Sequence, residues 1–204
     1  MRFDFLKIFS ASIIFLLLGC KADDTELPVL KIPYYSEEFT NVQHNTILDL
    51  SGWINFNEFG ATKWYERIFS GNGYAQFNPY GTTDVKSVAW LISPSITVEA
   101  DKNTKFSFQS AQNFVSDDAN TIEVYVSTNF DGTNVLAANW TRVQANIANK
   151  NTTGYEFISS GEIDLNSFKT SGKVNIAFRA TGSGTNTNLD GLFQIDDLKV
   201  YNVK

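Results

Sequence analysis

The sequence predicts an all-β protein, a sandwich of jelly-roll type, behind a short secretory leader and a tether. Three observations carry this prediction. Apolar residues alternate with polar ones at period two through several separate runs, as half-buried strands do. Turn-forming clusters fall between those runs at fairly regular spacing. After the leader, no stretch keeps a helical period over three turns.

The leader comes first. Arg2 and Lys7 flank or precede an apolar run over residues 8–18. That run suits a signal-peptide core and falls short of the roughly 20 residues that span a bilayer. It ends in Gly19-Cys20, and Cys20 is the single cysteine of the chain. A small residue followed by cysteine resembles a bacterial lipobox, although Leu18 is a less usual choice before the glycine. That resemblance implies removal of residues 1–19 and a lipid-anchored, palmitate-bearing Cys20. A plain signal peptide with a chance cysteine is the other reading. Either way the protein is expected outside the cytoplasm, and the lipid reading places it on the outer membrane, exposed at the cell surface.

Residues 20–33 read as lipidated cysteine and flexible tether. Within it, residues 21–28 are polar and acidic without periodicity. Lys21-Ala22-Asp23-Asp24 resembles a surface-export signal; a solvated linker is the alternative.

The rest, residues 34–204, is the length of one domain, large enough for a packed core without staples. With Cys20 lipidated no disulfide is available. The formal net charge is −6, from 16 basic and 22 acidic residues. Without a basic block, nucleic acid is excluded as a partner, and membrane contact is left to the lipid. Seventeen Phe, eight Tyr and four Trp suit strands and glycan-binding faces.

Strands are read at Phe106 and Phe108, at Ile122, Val124 and Val126, and at Val174, Ile176 and Phe178. Turns are read at Ser70-Gly71-Asn72-Gly73, Asp131-Gly132, Ser171-Gly172 and Thr181-Gly182-Ser183-Gly184. In the last strand Phe193 and Ile195 hold one parity, Leu198 and Val200 the other. If all four face the core, an extra residue sits at Asp196-Asp197, which is a β-bulge. A strand covered on both faces needs none.

Several motifs then occur in a familiar order: Glu38-Phe39, Ser51-Gly52-Trp53, Trp64, Trp90-Leu91-Ile92-Ser93-Pro94, Val124-Tyr125-Val126, Trp140-Thr141, Ile163-Asp164-Leu165, Val174-Asn175-Ile176 and Ile195-Asp196-Asp197-Leu198-Lys199-Val200. Together they resemble the choice-of-anchor J and cleaved-adhesin domains of bacterial surface proteins, jelly rolls similar to MAM domains. The resemblance implies adjacent N- and C-terminal strands, often a structural calcium, and roles in adhesion or glycan handling. It also implies that Trp53, Trp64, Trp90 and Trp140 are framework residues rather than a sugar platform.

Calcium takes six to eight oxygen ligands. If the first and last strands pair, Glu38 lies near Asp196 and Asp197, and crowded carboxylates repel without a cation. Asp84 is a further candidate, standing where the family commonly has an acid. Solvated acids at strand ends are the alternative. Should a glycan site exist, Tyr65, Tyr74, Tyr80 or Tyr155 near loops are its candidates. The polar runs over residues 149–153 and 182–190 are candidate rim loops or plain connections.

Catalytic patterns are mostly missing. His44 is the single histidine, no nucleophile elbow occurs, and the acidic pairs Glu37-Glu38, Asp117-Asp118 and Asp196-Asp197 are merely adjacent in sequence. The expectation is a non-catalytic surface lipoprotein that binds an extracellular glycan as accessory to an outer-membrane uptake system. The alternative is an adhesive or structural module that binds a surface protein.

Overall fold

The computed structural model describes residues 31–203. The leader, Cys20 and the tether up to residue 30 lie outside the described residues. Fourteen strands form among the described residues: β1 Pro33–Glu37, β2 Thr46–Ile47, β3 Ile54–Phe59, β4 Trp64–Phe69, β5 Asn72–Phe77, β6 Ser87–Ile92 and β7 Ile96–Thr97. β8 Asn103–Asn113, β9 Thr121–Ser127, β10 Thr141–Val143, β11 Ile158–Ser159, β12 Ile163–Asp164, β13 Lys173–Gly182 and β14 Leu192–Val203 follow. Two single 3-10 turns complete the list, with no α-helix among the described residues.

The strands make two antiparallel sheets. One runs β11-β8-β14-β5-β4-β2, with β1 beside β14 and β12 beside β8; the other runs β10-β9-β13-β6-β3, with β7 beside β13. Alternation decides which side chains fill the space between them. Phe106 and Phe108, Ile122, Val124 and Val126, and Val174, Ile176 and Phe178 are all buried in one core. Each such side chain contributes about 1.5–3 kcal/mol on burial.

The bulge forms where period two predicts it. β14 pairs with β8 along its length, and its register shifts between Asp196 and Lys199. Asp197 takes a positive φ of 58°. Phe193, Ile195, Leu198 and Val200 consequently all reach the core. The shift also marks a change of neighbour. Before it, Phe193 to Ile195 pair with β5; after it, Leu198 to Tyr201 pair with β1.

The β4–β5 turn is tighter than the four-residue cluster suggests. Only Ser70 and Gly71 form it, with φ of 50° and 84°, as a two-residue hairpin requires. Gly73 is already strand, and for another reason: a Cβ there would lie 2.0 Å from the carbonyl oxygen of Phe39.

A second apolar cluster covers the outer face of the other sheet. Trp90 packs 5.3 Å from Trp140 and 5.2 Å from Tyr125, with Phe130 and Val135 closing over them. Arg179 seals it, donating from Nε and Nη2 to Glu58 at 2.9 and 3.1 Å. Burial opposes ionisation of Glu58, but bonds from Arg179 and Trp90 outweigh it and hold the carboxyl below its usual range. Trp53, Trp64 and Trp90 are buried and Trp140 half-buried, so all four are packing residues. The outer face of the first sheet is only partly covered, and a groove remains over it.

Candidate binding groove

On that face a groove of about 1080 Å³ runs over β4, β5 and β14. Its position follows from strand parity. Trp64, Phe77 and Phe193 point into the core, so Arg67, Phe69, Asn72, Tyr74, Gln76, Leu192 and Gln194 point the other way and line the groove. Gln194 Nε2 donates to Gln76 Oε1 at 3.0 Å, and both amides are buried in the floor.

Aromatic rings stand around this floor. Phe69, Tyr80, Phe114 and Tyr155 line the groove yet are 73%, 71%, 70% and 56% exposed. Phe114 and Tyr155 sit at φ of 62° and 61°. A residue with a large side chain holds such a conformation at a cost of about 1–3 kcal/mol, met by the surrounding structure. Gln112 supplies much of that hold. Its carbonyl accepts from Tyr155 N at 2.7 Å, its Oε1 from Val115 N at 3.2 Å, and its Nε2 donates to the Thr152 carbonyl at 2.7 Å. Deeper in, Tyr74 meets Phe157 edge to face at 5.7 Å.

Charge is sparse in the groove. Of the described residues lining it, Arg67 is the cation and Asp190 the carboxylate. Burial raises the Tyr74 phenol above its usual range, against the lowering effect of neighbouring Arg67. A lone carboxylate does not make the facing pair that glycoside cleavage uses. Apolar ring faces beside amides and a few charges instead suit a ligand with apolar faces and many hydroxyls.

Three of the four tyrosines singled out from sequence line this groove: Tyr74, Tyr80 and Tyr155. Tyr65, paired with Gln76 in register, shares the face but lies outside the lining. Of the polar runs, 182–190 gives Thr187 and Asp190 to the rim. Phe69, Phe114 and Phe157 escaped sequence reasoning. Phenylalanine reads as core, and nothing local marks Phe114 as a left-handed residue.

The carboxylates expected to hold calcium do not meet as one set. Glu38, Asp196 and Asp197 converge at the bulge, because β1 pairs with β14 there. Between them stands Lys199, whose Nζ is 2.6 Å from Asp197 Oδ1 and 3.5 Å from Glu38 Oε1. Asn72 Nδ2 donates to Asp196 Oδ2 at 2.8 Å, and Gln109 Nε2 to Asp197 Oδ2 at 3.2 Å. The neighbours are thus an ammonium and amide N–H groups, a poor fit to an ion that needs further oxygens. Among the described residues, no group of three or more His, Cys, Asp or Glu side chains is placed to hold a metal ion.

Asp84 stands apart from that cluster. Its Oδ2 accepts from Ala61 N at 2.8 Å, Thr62 N at 3.0 Å, Thr62 Oγ1 at 2.8 Å and Ser87 Oγ at 3.0 Å. Burial pushes its carboxyl up, but these donors outweigh it and hold it below the usual range. The side chain pins the β3–β4 turn through that one oxygen.

The strand order defines a jelly roll of two antiparallel sheets. The K1 cleaved adhesin domain of Lys-gingipain from Porphyromonas gingivalis W83 superposes over 83% of this chain and 98% of its own length, with a TM-score of 0.50 and 16% identity. The K2 domain gives 0.52 at 14% identity, over 83% and 99% of the two chains. The K3 domain from the same organism gives 0.52 at 13%, again over 83% and 99%. These likenesses define the fold alone. Residues 94–204 match the family described as a domain of unknown function, DUF5017, and the chain belongs to that family. No curated protein matches it.

Proposed function

We propose that this domain is a non-catalytic glycan-binding module and that the groove over β4, β5 and β14 is its binding site. One observation carries the reading: exposed rings at Phe114 and Tyr155 are held in costly left-handed conformations beside a floor of bonded amides. Strained residues cluster at active sites and ligand clamps, and these two rings are exposed rather than buried in the core. Rings can lie on the apolar faces of sugars while Gln76, Gln194, Asn72 and Asp190 meet hydroxyls.

The proposal extends to address. Cys20 would carry the lipid, with the domain at the face of the outer membrane as accessory to an uptake system. The basic, apolar and Gly19-Cys20 order of the leader supports this part.

A glycan array spanning plant, host and microbial sugars tests the binding reading. Hits that compete with one another for one site are expected. No hits in all three classes, with specific capture of a surface protein instead, would assign the domain to adhesion.

A further inference from the structure

We propose that the groove selects glycans bearing acidic sugars, and that Arg67 is the residue that takes their carboxylate; this rests on the glycan reading above. Among the described residues there are three arginines, and two are committed to carboxylates. Arg142 Nε lies 3.2 Å from Glu123 Oε1, and Arg179 grips Glu58 and Glu123. Arg67 is treated differently. Its Nη1 donates to Asn45 Oδ1 at 2.7 Å, a neutral acceptor, and its Nε is buried with no hydrogen-bond partner. It forms no ion pair with a described carboxylate.

A guanidinium presents five N–H donors in a rigid fork; with Nε buried, the terminal nitrogens of Arg67 are the ones a ligand in the groove meets. Carboxylate is the acceptor whose two oxygens match that fork. Arg67 offers it inside a groove whose neighbouring walls, Phe69 and Tyr74, are aromatic. The ligand chemistry is therefore an anionic group on a body with apolar faces, as in a uronic acid residue of a polysaccharide. Bulk charge does not explain this, since the chain carries −6 overall.

The groove's own acids leave room for such a group. Arg67 is level with Tyr74 in register, and Tyr74 falls one step beyond the Ala75–Ile195 pair, level with Asp196. Asp190 lies before β14, whose first residue Leu192 is four residues from Asp196, about 13 Å along the strand at about 3.3 Å per residue. That exceeds the screening length of about 8 Å at physiological salt. Asp196 is nearer, across Tyr74, but is buried and bonded to Asn72 and to the Asp197 N–H. One end of the groove is thus cationic and the other acidic, which also gives a bound chain a direction.

Titration of the full chain with polygalacturonate, alginate and hyaluronan, each beside its carboxyl-reduced polymer, tests the inference. At least one uronate polymer should bind about ten- to hundred-fold tighter than its reduced form, with the preference shrinking as salt rises. Arg67→Gln should abolish the preference, so that each acidic polymer and its reduced form bind alike. Because Arg67 also bonds Asn45, Asn45→Ala reports loss of that contact alone and should keep the preference. Equal affinity for acidic and reduced polymers, or a preference that survives Arg67→Gln, overturns the assignment. Binding of neutral glycans only would leave the glycan reading standing and sink this one; binding of no glycan of either kind would sink both.

Discussion

Phe114 and Tyr155 meet edge to face at the rim of the groove, ring centroids 6.4 Å apart and planes at 86°, each on a left-handed backbone. The two come from separate segments, one directly after β8 and one three residues before β11, and Gln112 bonds to both sides of the junction. Ring placement is therefore imposed by the sandwich.

Tyr155→Gly separates strain from stacking. Glycine takes the left-handed conformation freely, which recovers about 1 kcal/mol, while loss of the edge-to-face pair costs about 0.5–1.5 kcal/mol. Stability in urea should stay within about 1 kcal/mol of wild type. A much larger loss would make Tyr155 a packing residue and remove the main support for a binding role.

Asp196 gives the domain a pH dependence. Burial pushes its carboxyl up to about 6, with the Asp197 and Glu38 charges adding, against bonds from Asn72 and the Asp197 N–H. In the unfolded chain it titrates near 3.9, so between about pH 4 and 6 the folded chain binds the extra proton. Stability from this group therefore falls as pH rises through that window. Asp196→Asn should be more stable than wild type by about 1–3 kcal/mol at pH 7.5 and equal to it at pH 4 or below. Denaturant titrations at the two pH values check this; equal curves at both would contradict it.

Lys199 supplies the positive charge among Glu38, Asp196 and Asp197. Melting of the wild type should be the same in calcium and in chelator. Lys199→Gln should lower stability at pH 7 by up to about 1 kcal/mol, since the pair is half open to solvent, and should make melting respond to added calcium. A wild type that loses melting temperature in chelator would restore calcium to this cluster.

Gly73 is needed for closeness. Alanine would place its Cβ 2.0 Å from the Phe39 carbonyl oxygen, and backbone cannot swing aside as a long side chain can. Gly73→Ala should cost about 1–3 kcal/mol or more, a fall of at least about 2 °C in melting temperature at this chain length. Gly71→Ala, with open space around its Cβ position, pays only for its left-handed φ.

The fold was legible because its rules are local. Ile122, Val124 and Val126 declare a strand by themselves, and the parity change between Ile195 and Leu198 leaves a bulge or a strand covered on both faces, of which the structure has the bulge. The junction of Glu38 with Asp196 needed one further step, the pairing of first and last strands. Groove residues resisted such reading for a physical reason: Arg67, Gln76 and Gln194 share a surface only through the β4–β5–β14 order, a non-local fact. Each reads alone as an ordinary solvent-facing residue. Asp84 shows a different limit: a carboxylate that caps a turn and one that binds a cation leave the same letter in the sequence.

The central claim is that the groove grips a glycan through its rim rings. Calorimetric titration of an array hit against wild type, Tyr155→Ala and Tyr65→Ala tests it most directly. Tyr155→Ala should weaken binding about tenfold or more, while Tyr65→Ala, on the same face outside the groove, should bind within about twofold of wild type. Wild-type affinity in Tyr155→Ala, or an equal loss in Tyr65→Ala, would contradict the account.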